Sequence, residues 1–249
     1  MAIQRHLNNA PIVEAVIDIR VNLKSAFKED EISSLKNVLG EQYPTSETIK
    51  IFEGGFGLVK GEPWVDTLKD KGIDGFRFKS KDEKNIVQFK NDGFTFNRLK
   101  PYTSWNNVIV DAKSLWGIYF SNFSVERVTR IAVRYINQLD IPLPIKDFKD
   151  FLTRPPDVPD DVPDAISSFL CRIVLHDVER SISANVAQAL EKSIKPDFAN
   201  IILDIDVYKN VDMQSDNYEQ IWVILEQLHK LKNKIFFNSI TESTARLFE

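Results

Sequence analysis

Two long stretches of alternating apolar and polar residues constrain this chain more than any other feature. From Pro11 the pattern has a period of two over a dozen residues, and it returns over residues 128–141. Successive side chains of a β-strand point to opposite faces of the sheet, so this period predicts two long strands, each with one buried face. The apolar positions of the first strand are Val13, Ala15, Ile17, Ile19, Val21 and Leu23.

A turn signal between these strands predicts an antiparallel meander. The sequence Asn91-Asp92-Gly93 separates the short apolar and aromatic runs at residues 86–89 and 94–96. Asn-Asp-Gly favours a tight hairpin turn, because glycine adopts positive φ at little steric cost.

Two amphipathic helices are predicted beside these strands. The first begins at a cap at Thr103 or Ser104, and the second begins at Asp216, where Glu219 completes a capping box, and runs through Lys232. In each helix the apolar residues recur on one stripe, which predicts packing against a sheet. Those of the first helix are Trp105, Val108, Ile109, Ala112, Leu115, Trp116 and Tyr119.

A proline-rich segment divides the chain. Residues 154–166 contain four prolines and a repeated Asp-Val-Pro-Asp, which exclude a helix or a central strand. We therefore divide the chain into an N-terminal α+β half (residues 1–153), this Pro/Asp-rich loop, and a C-terminal β-meander-plus-helix half (residues 167–249). The predicted fold class is α+β, with mainly antiparallel sheet covered by two long amphipathic helices. The two halves are either similar meander-plus-helix units or packed as a single domain.

Composition limits the classes of partner. With 32 basic and 36 acidic residues the net charge is −4, so the charge balance does not indicate nucleic acid. The single cysteine, Cys171, excludes an internal disulfide, and its place on a strand predicts a buried small apolar side chain. No stretch approaches the roughly 18 apolar residues of a membrane span, so we expect a cytoplasmic protein without a membrane partner.

One set of residues resembles part of a catalytic motif. Asp74, followed one hairpin later by Gln88 and Lys90, resembles the acidic residue and Glu/Gln-x-Lys pair of restriction-endonuclease-like nucleases. In such enzymes the carboxylate holds a divalent metal and the lysine helps to orient or activate water. Gln88 is a poor substitute for the usual second carboxylate. A metal-dependent hydrolase or nuclease is therefore the alternative, and the preferred interpretation has no catalytic residue, metal or cofactor.

Acidic residues with a common side-chain direction form a second candidate. They are Asp204 with Asp206, and Glu14 with Asp18. Either pair could bind a hard cation through oxygen. The second interpretation is that they form the polar face of a half-exposed sheet and face Arg130 and Arg134, which have the same spacing.

The segment after the hairpin turn is the preferred candidate binding site. Aromatic side chains there surround a few polar groups, which is what a small-ligand pocket or an interface hot spot requires. Arg98 and Arg134 would anchor an anionic group. The other interpretation is that the aromatic residues are core, Arg98 is a surface cation, and the rest cap a helix. The predicted ligand-binding residues are Phe96, Arg98, Tyr102, Trp105 and Arg134.

Four separated segments together resemble a known protein family. They are Asn9 to Ala15, Asp92 to Trp105, Arg130 to Asn137 and Ser239 to Glu242. The family is a sporadically distributed, uncharacterised prokaryotic family of about this length, with no assigned activity. Patchy occurrence implies, by association only, a mobile or defence-linked system.

We therefore expect a non-enzymatic binding or protein-interaction module of unknown specificity. Its partner would be an unidentified protein or a small anionic ligand. A structural subunit of a larger assembly is a further alternative, and the sequence leaves a homo-oligomer open.

Overall fold

A nine-stranded antiparallel sheet organises the part of the chain that the computed structural model describes, which is residues 1–28, 30–54, 56–59, 62–65, 69–163, 165–214 and 217–249. In chain order the strands are β1 (Ile12–Leu23), β2 (Thr45–Glu53), β3 (Phe56–Val59), β4 (Glu62–Val65), β5 (Lys69–Lys79), β6 (Asn85–Lys90), β7 (Gly93–Leu99), β8 (Val125–Pro142), β9 (Phe169–Asp177), β10 (Ile182–Glu191) and β11 (Phe198–Gln214). The large sheet has the order β2-β5-β6-β7-β1-β8-β11-β10-β9, and β3 and β4 form a separate hairpin. The helices are α1 (Glu31–Leu39), α2 (Trp105–Asn122), α3 (Gln220–Ser239) and α4 (Glu242–Arg246).

The central strand β1 lies between β7 and β8 and so connects the two halves of the sheet. Ile17 lies opposite Phe96 of β7 on one side and opposite Val133 of β8 on the other. β8 also pairs along most of its length with β11, where Tyr135 lies opposite Ile205. The same sheet therefore contains strands from both sides of the proline-rich segment.

The two faces of the sheet differ in their cover. On β1 the side chains of Ala15, Ile17 and Ile19 are fully buried, whereas Glu14 and Asp18 on the opposite face are partly exposed. We call these the covered face and the open face. This is the arrangement that the alternating pattern of the first strand predicts.

Helices α2 and α3 lie side by side on the covered face and run in opposite directions. Trp105 at the start of α2 stacks on His229 of α3, with ring centroids 4.2 Å apart, and Phe120 near its end packs 5.1 Å from Tyr218. The Ser104 hydroxyl accepts a hydrogen bond of 3.2 Å from the Asn107 backbone N–H, so the predicted cap at the start of α2 is confirmed. The predicted cap at Asp216 lies outside the described residues.

The hairpin between β6 and β7 forms where the turn signal predicts it. Gly93 has φ +156°, and a Cβ at this position would lie 2.4 Å from the carbonyl oxygen of Ile19. A side chain there would push β7 away from β1. Glycine is therefore required at this position for the close approach of the central strand, as well as for the turn.

The predicted fold class is wrong in its layout. One continuous sheet replaces two meander-plus-helix halves, because β8 pairs with both β1 and β11. The prediction of two long helices is also wrong, because the described part of the chain has three helices of nine or more residues: α1, α2 and α3, with 9, 18 and 20 residues. None of the described helices is long and apolar enough to cross a membrane.

The predicted burial of Cys171 is wrong. Its strand, β9, pairs with β10 alone and forms one edge of the sheet, so its side chains are exposed on both faces. Cys171 is an exposed free thiol. Alternation identified a strand, but burial depends on what covers the strand, and that information is not local.

Candidate functional site

A cavity of about 400 Å³ lies against the covered face of the sheet, and we call it the Lys232 cavity. Its lining comes from three stretches that are distant in the sequence: residues between 4 and 12, residues 102–105, and α3 residues between 229 and 237. Asn137 of β8 adds a buried amide from the sheet.

The N-terminal segment is fixed to the C-terminal helices by backbone and ionic contacts. The Ala2 N–H lies 3.0 Å from the Phe237 carbonyl oxygen and 2.9 Å from that of Ile240. The Arg5 guanidinium forms an ion pair of 2.7 Å with Glu242 of α4. These contacts place residues 4–12 across one side of the cavity.

Lys232 is the unusual group of this cavity. Its side chain follows Leu228 by one helical turn on the apolar stripe of α3, and the residue is 5% exposed. Its Nζ lies 3.7 Å from the ring centroid of Tyr135 and donates a hydrogen bond of 2.5 Å to Oδ1 of Asn233. Among the described residues, no ion pair involves Lys232. Burial lowers the pKa of the Lys232 ammonium to about 7.

Aromatic side chains surround this amine. The Tyr102 and Tyr135 hydroxyls lie 3.4 Å apart, and the Trp105 indole lies parallel to the His229 imidazole within 8°. The Trp105 Nε1–H donates to a carboxylate oxygen of Glu226. Burial, together with the nearby charge of Lys232, lowers the pKa of His229 to about 3, so this imidazole is neutral at physiological pH.

The charged side chains that line the cavity have one sign. They are Arg5 and Lys232, and the described lining contains no aspartate or glutamate. Arg5 is neutralised by Glu242 and Glu249, which are not among the lining residues, whereas Lys232 has no carboxylate partner in the described part of the chain. Such a lining favours an anionic ligand.

The structure places two of the five sequence-predicted site residues at this cavity. Tyr102 and Trp105 line it, and Trp105 is 8% exposed. Phe96 is fully buried within the sheet core, where it lies opposite Ile17 and Val87.

The two predicted arginine anchors lie elsewhere. Arg98 projects from the covered face of β7 and forms an ion pair with Asp111 of α2. Arg134 lies on the open face of the sheet, where its Nε and Nη2 bind the two carboxylate oxygens of Asp204 at 2.9 and 2.6 Å. Both guanidinium groups therefore already have carboxylate partners, and neither lines the Lys232 cavity.

Sequence reasoning missed Lys232, Asn233 and His229. A signal was present, because Lys232 follows Leu225 by seven residues and Leu228 by four, both of which are buried. A lysine on the apolar stripe of a helix is a rare arrangement. The aromatic partners, in contrast, come from other elements and could not be read from the helix.

The open face carries the acidic and basic residues that the sequence pattern paired. Arg130 donates to Asp18 at 3.0 Å and to Asp206 at 3.1 Å, and Arg134 binds Asp204. The interpretation of these carboxylates as partners of Arg130 and Arg134 is confirmed for Asp18, Asp204 and Asp206, whereas Glu14 accepts a hydrogen bond of 2.6 Å from Asn97. We call the two arginines and these three aspartates the open-face network.

The residues of the alternative catalytic motif have other contacts. The Lys90 ammonium lies 3.2 Å from Asp92 in the hairpin turn, and Gln88 lies opposite Arg77 of β5. Within the described ranges, no group of three or more His, Cys, Asp or Glu side chains is placed to hold a metal ion. The structure therefore adds no observation in favour of a metal-dependent hydrolase.

No family model matches this chain, and no curated protein matches it. Membership of the sporadically distributed prokaryotic family therefore stays a prediction.

Proposed function

We propose that this protein is a non-enzymatic binding module and that the Lys232 cavity takes a small organic anion. The observation that supports the proposal most directly is the buried Lys232 ammonium, which faces the cavity with one amide oxygen and a tyrosine ring as its contacts.

The size and lining of the cavity suit a small molecule. Ligand pockets typically have volumes of roughly 300–1,000 Å³, apolar and aromatic walls, and a few polar groups that orient the ligand. The Lys232 cavity has a volume of about 400 Å³, aromatic side chains from Tyr102 and Trp105, and polar groups from Asn137, Asn233 and Lys232. A metabolite-sized anion fits this space.

The buried charge on Lys232 favours a bound counter-ion. Removal of an ammonium from water is unfavourable unless a counter-charge or several hydrogen bonds replace the lost solvation. Asn233 and Tyr135 replace only part of it. A bound carboxylate would complete the ion pair and raise the pKa of Lys232, so we expect ligand binding to be accompanied by proton uptake near neutral pH.

Calorimetric titration with small carboxylates of graded size, such as acetate, lactate and benzoate, tests the proposal. In Lys232→Met we expect at least a tenfold loss of affinity, about 1.4 kcal/mol, because the apolar replacement removes the cation. Lys234→Met is the matched control, because Lys234 is exposed on the same helix and does not line this cavity.

Two results would contradict the proposal. One is equal affinity for carboxylates in the unmodified protein and in Lys232→Met. The other is equal affinity for benzoate and for benzamide, the neutral amide of the same shape.

The second part of the proposal is that the protein acts in a mobile or defence-linked system. Only the resemblance of the four sequence segments supports a mobile or defence-linked setting. A survey of the genes that neighbour this one in different genomes tests it, and a neighbourhood of unrelated housekeeping genes would contradict it.

A further inference from the structure

We infer that the ligand of the Lys232 cavity carries an aldehyde or ketone group and that Lys232 Nζ captures this group reversibly as an imine. The inference rests on the proposed binding of a small organic anion and deepens it by naming the reactive group of the ligand. The carboxylate pairs with the ammonium form of Lys232 and the carbonyl reacts with the neutral form, so the ion pair and the imine are alternative states of the same site.

The contacts of the Lys232 amine leave its charge unfixed. A lysine in a salt bridge is held as an ammonium ion, which has no free electron pair for reaction. Lys113, for example, lies 3.2 Å from Glu219. Lys232 has no such partner among the described residues, and the amide oxygen of Asn233 at 2.5 Å orients its nitrogen without fixing its charge. A nucleophilic lysine requires this combination of burial and orientation.

The lowered pKa of Lys232 makes its neutral, nucleophilic form abundant. With a pKa of about 7, Lys232 is neutral in about half of the molecules at neutral pH. An exposed lysine with an ordinary pKa of about 10.4 is neutral in roughly one molecule in 2,500. At neutral pH the reactive form of Lys232 is therefore about a thousandfold more abundant than that of a surface lysine.

The surrounding titratable groups are compatible with a neutral amine. Arg5 and His6 of the N-terminal segment, Tyr102 before α2 and His229 on α3 line the same cavity, and Tyr135 lies beneath the amine. Glu226 of α3 is the nearby carboxylate: it accepts from the Trp105 Nε1–H and acts on the charge of Tyr135, but it forms no ion pair with Lys232 in the described part of the chain. Burial raises the pKa of Tyr102, so this phenol is protonated at neutral pH.

The reaction needs no co-reactant. The Lys232 nitrogen forms a bond to the carbonyl carbon, the π pair moves to oxygen, and one amine proton passes to that oxygen. The nitrogen lone pair then expels the hydroxyl group, which leaves as water with a proton from the Tyr102 phenol. The resulting iminium returns a proton to the phenolate, so the net change is amine plus carbonyl to imine plus water.

Borohydride trapping with glyoxylate and pyruvate tests the inference. Hydride adds to the imine carbon and converts a reversible adduct into a stable secondary amine, which peptide mass spectrometry locates. In the unmodified protein at pH 7 we expect Lys232 to be labelled at least about tenfold more than any other lysine, a cautious fraction of its advantage in neutral amine. Labelling of Lys234→Met at Lys232 should be unchanged, and Lys232→Met should lose the dominant adduct. Because the adduct is mapped on the unmodified chain, the result does not depend on whether a variant folds.

Lactate separates this inference from the proposed function, because it has the carboxylate and size of pyruvate but no carbonyl carbon that can form an imine. If lactate and pyruvate bind with dependence on Lys232 and Lys232 carries no adduct, the carbonyl inference is overturned and the anion-binding proposal stands. Equal labelling of Lys232 and surface lysines has the same meaning. If neither acid binds and neither carbonyl probe labels Lys232, both are overturned.

Discussion

Arg130 on the open face and Lys232 on the covered face are both basic side chains, but only Arg130 has carboxylate partners among the described residues. The Arg130 side chain is 27% exposed, yet it contacts two carboxylates and lies 4.6 Å from the Tyr208 ring centroid. Lys232 is 5% exposed and has no carboxylate partner in the described part of the chain. Stability alone would favour carboxylate partners for Lys232 and not for Arg130, because the more buried charge has the greater need of a partner. We infer that the open-face network serves the fold and that Lys232 is retained for binding.

The largest expected effect on stability is that of replacing Arg130, the cation with carboxylate partners. Arg130→Met removes the cation between Asp18 and Asp206, whose side chains are only 13% and 22% exposed. We expect the free energy of unfolding to fall by about 2.5 kcal/mol, because Asp206 loses its ion-pair partner in the described part of the chain and Asp18 is left with Arg20. Urea denaturation monitored by circular dichroism measures the change, and a loss below about 1 kcal/mol would remove the distinction between the two regions.

The opposite sign is expected for the unpaired cation. Lys232→Met replaces a desolvated amine with an apolar side chain of similar length, and we expect the ligand-free protein to gain about 2 kcal/mol at pH 7. The same denaturation experiment measures it. A loss of stability would mean that the contacts with Asn233 and Tyr135 compensate for burial, and would weaken the case for a binding role.

The pH dependence of stability sharpens the comparison further. Because burial lowers the pKa of Lys232 to about 7, the unfolded chain binds more protons at this site between pH 7 and roughly 10. The unmodified protein should therefore gain stability relative to Lys232→Met as the pH rises through this window, by about 1 kcal/mol per pH unit at the steepest. Parallel stability curves for the two proteins would contradict the lowered pKa.

The smallest effect is expected at Arg134, which lies on the same strand and face as Arg130. Its side chain is 49% exposed, although it binds Asp204 through two nitrogens. Solvent screens this pair, so Arg134→Met should cost about 0.5 kcal/mol. If this loss equalled that of Arg130→Met, partner number and burial would not explain the open-face network.

The sequence predicted the parts of the fold that depend on local pattern. The alternation in β1 and β8, the turn before Gly93 and the cap of α2 at Ser104 depend on side chains that are close in sequence, and all are present. The layout was wrong because strand order depends on pairing between distant segments. Nothing in residues 125–142 indicates that β8 would have both β1 and β11 as neighbours.

The candidate site shows the same limit at the level of single residues. Tyr102 and Trp105 were chosen because aromatic and polar residues cluster in the sequence, and they do line the cavity. Arg98 and Arg134 were chosen as anchors for an anionic group, yet each forms an ion pair with a carboxylate from another element. A sequence shows that a charge is present, but only the fold shows whether that charge already has a partner.

The central position of β1 means that its partner strands are made after it. Ile17 is synthesised before its neighbours in the sheet, Phe96 and Val133, and β8 is synthesised before its second neighbour, β11. Closing such long loops before any pairing is gained makes folding slow, and an unpaired apolar strand is prone to aggregation while it waits. We therefore expect β1 to stay unpaired until β7 and β8 have been made.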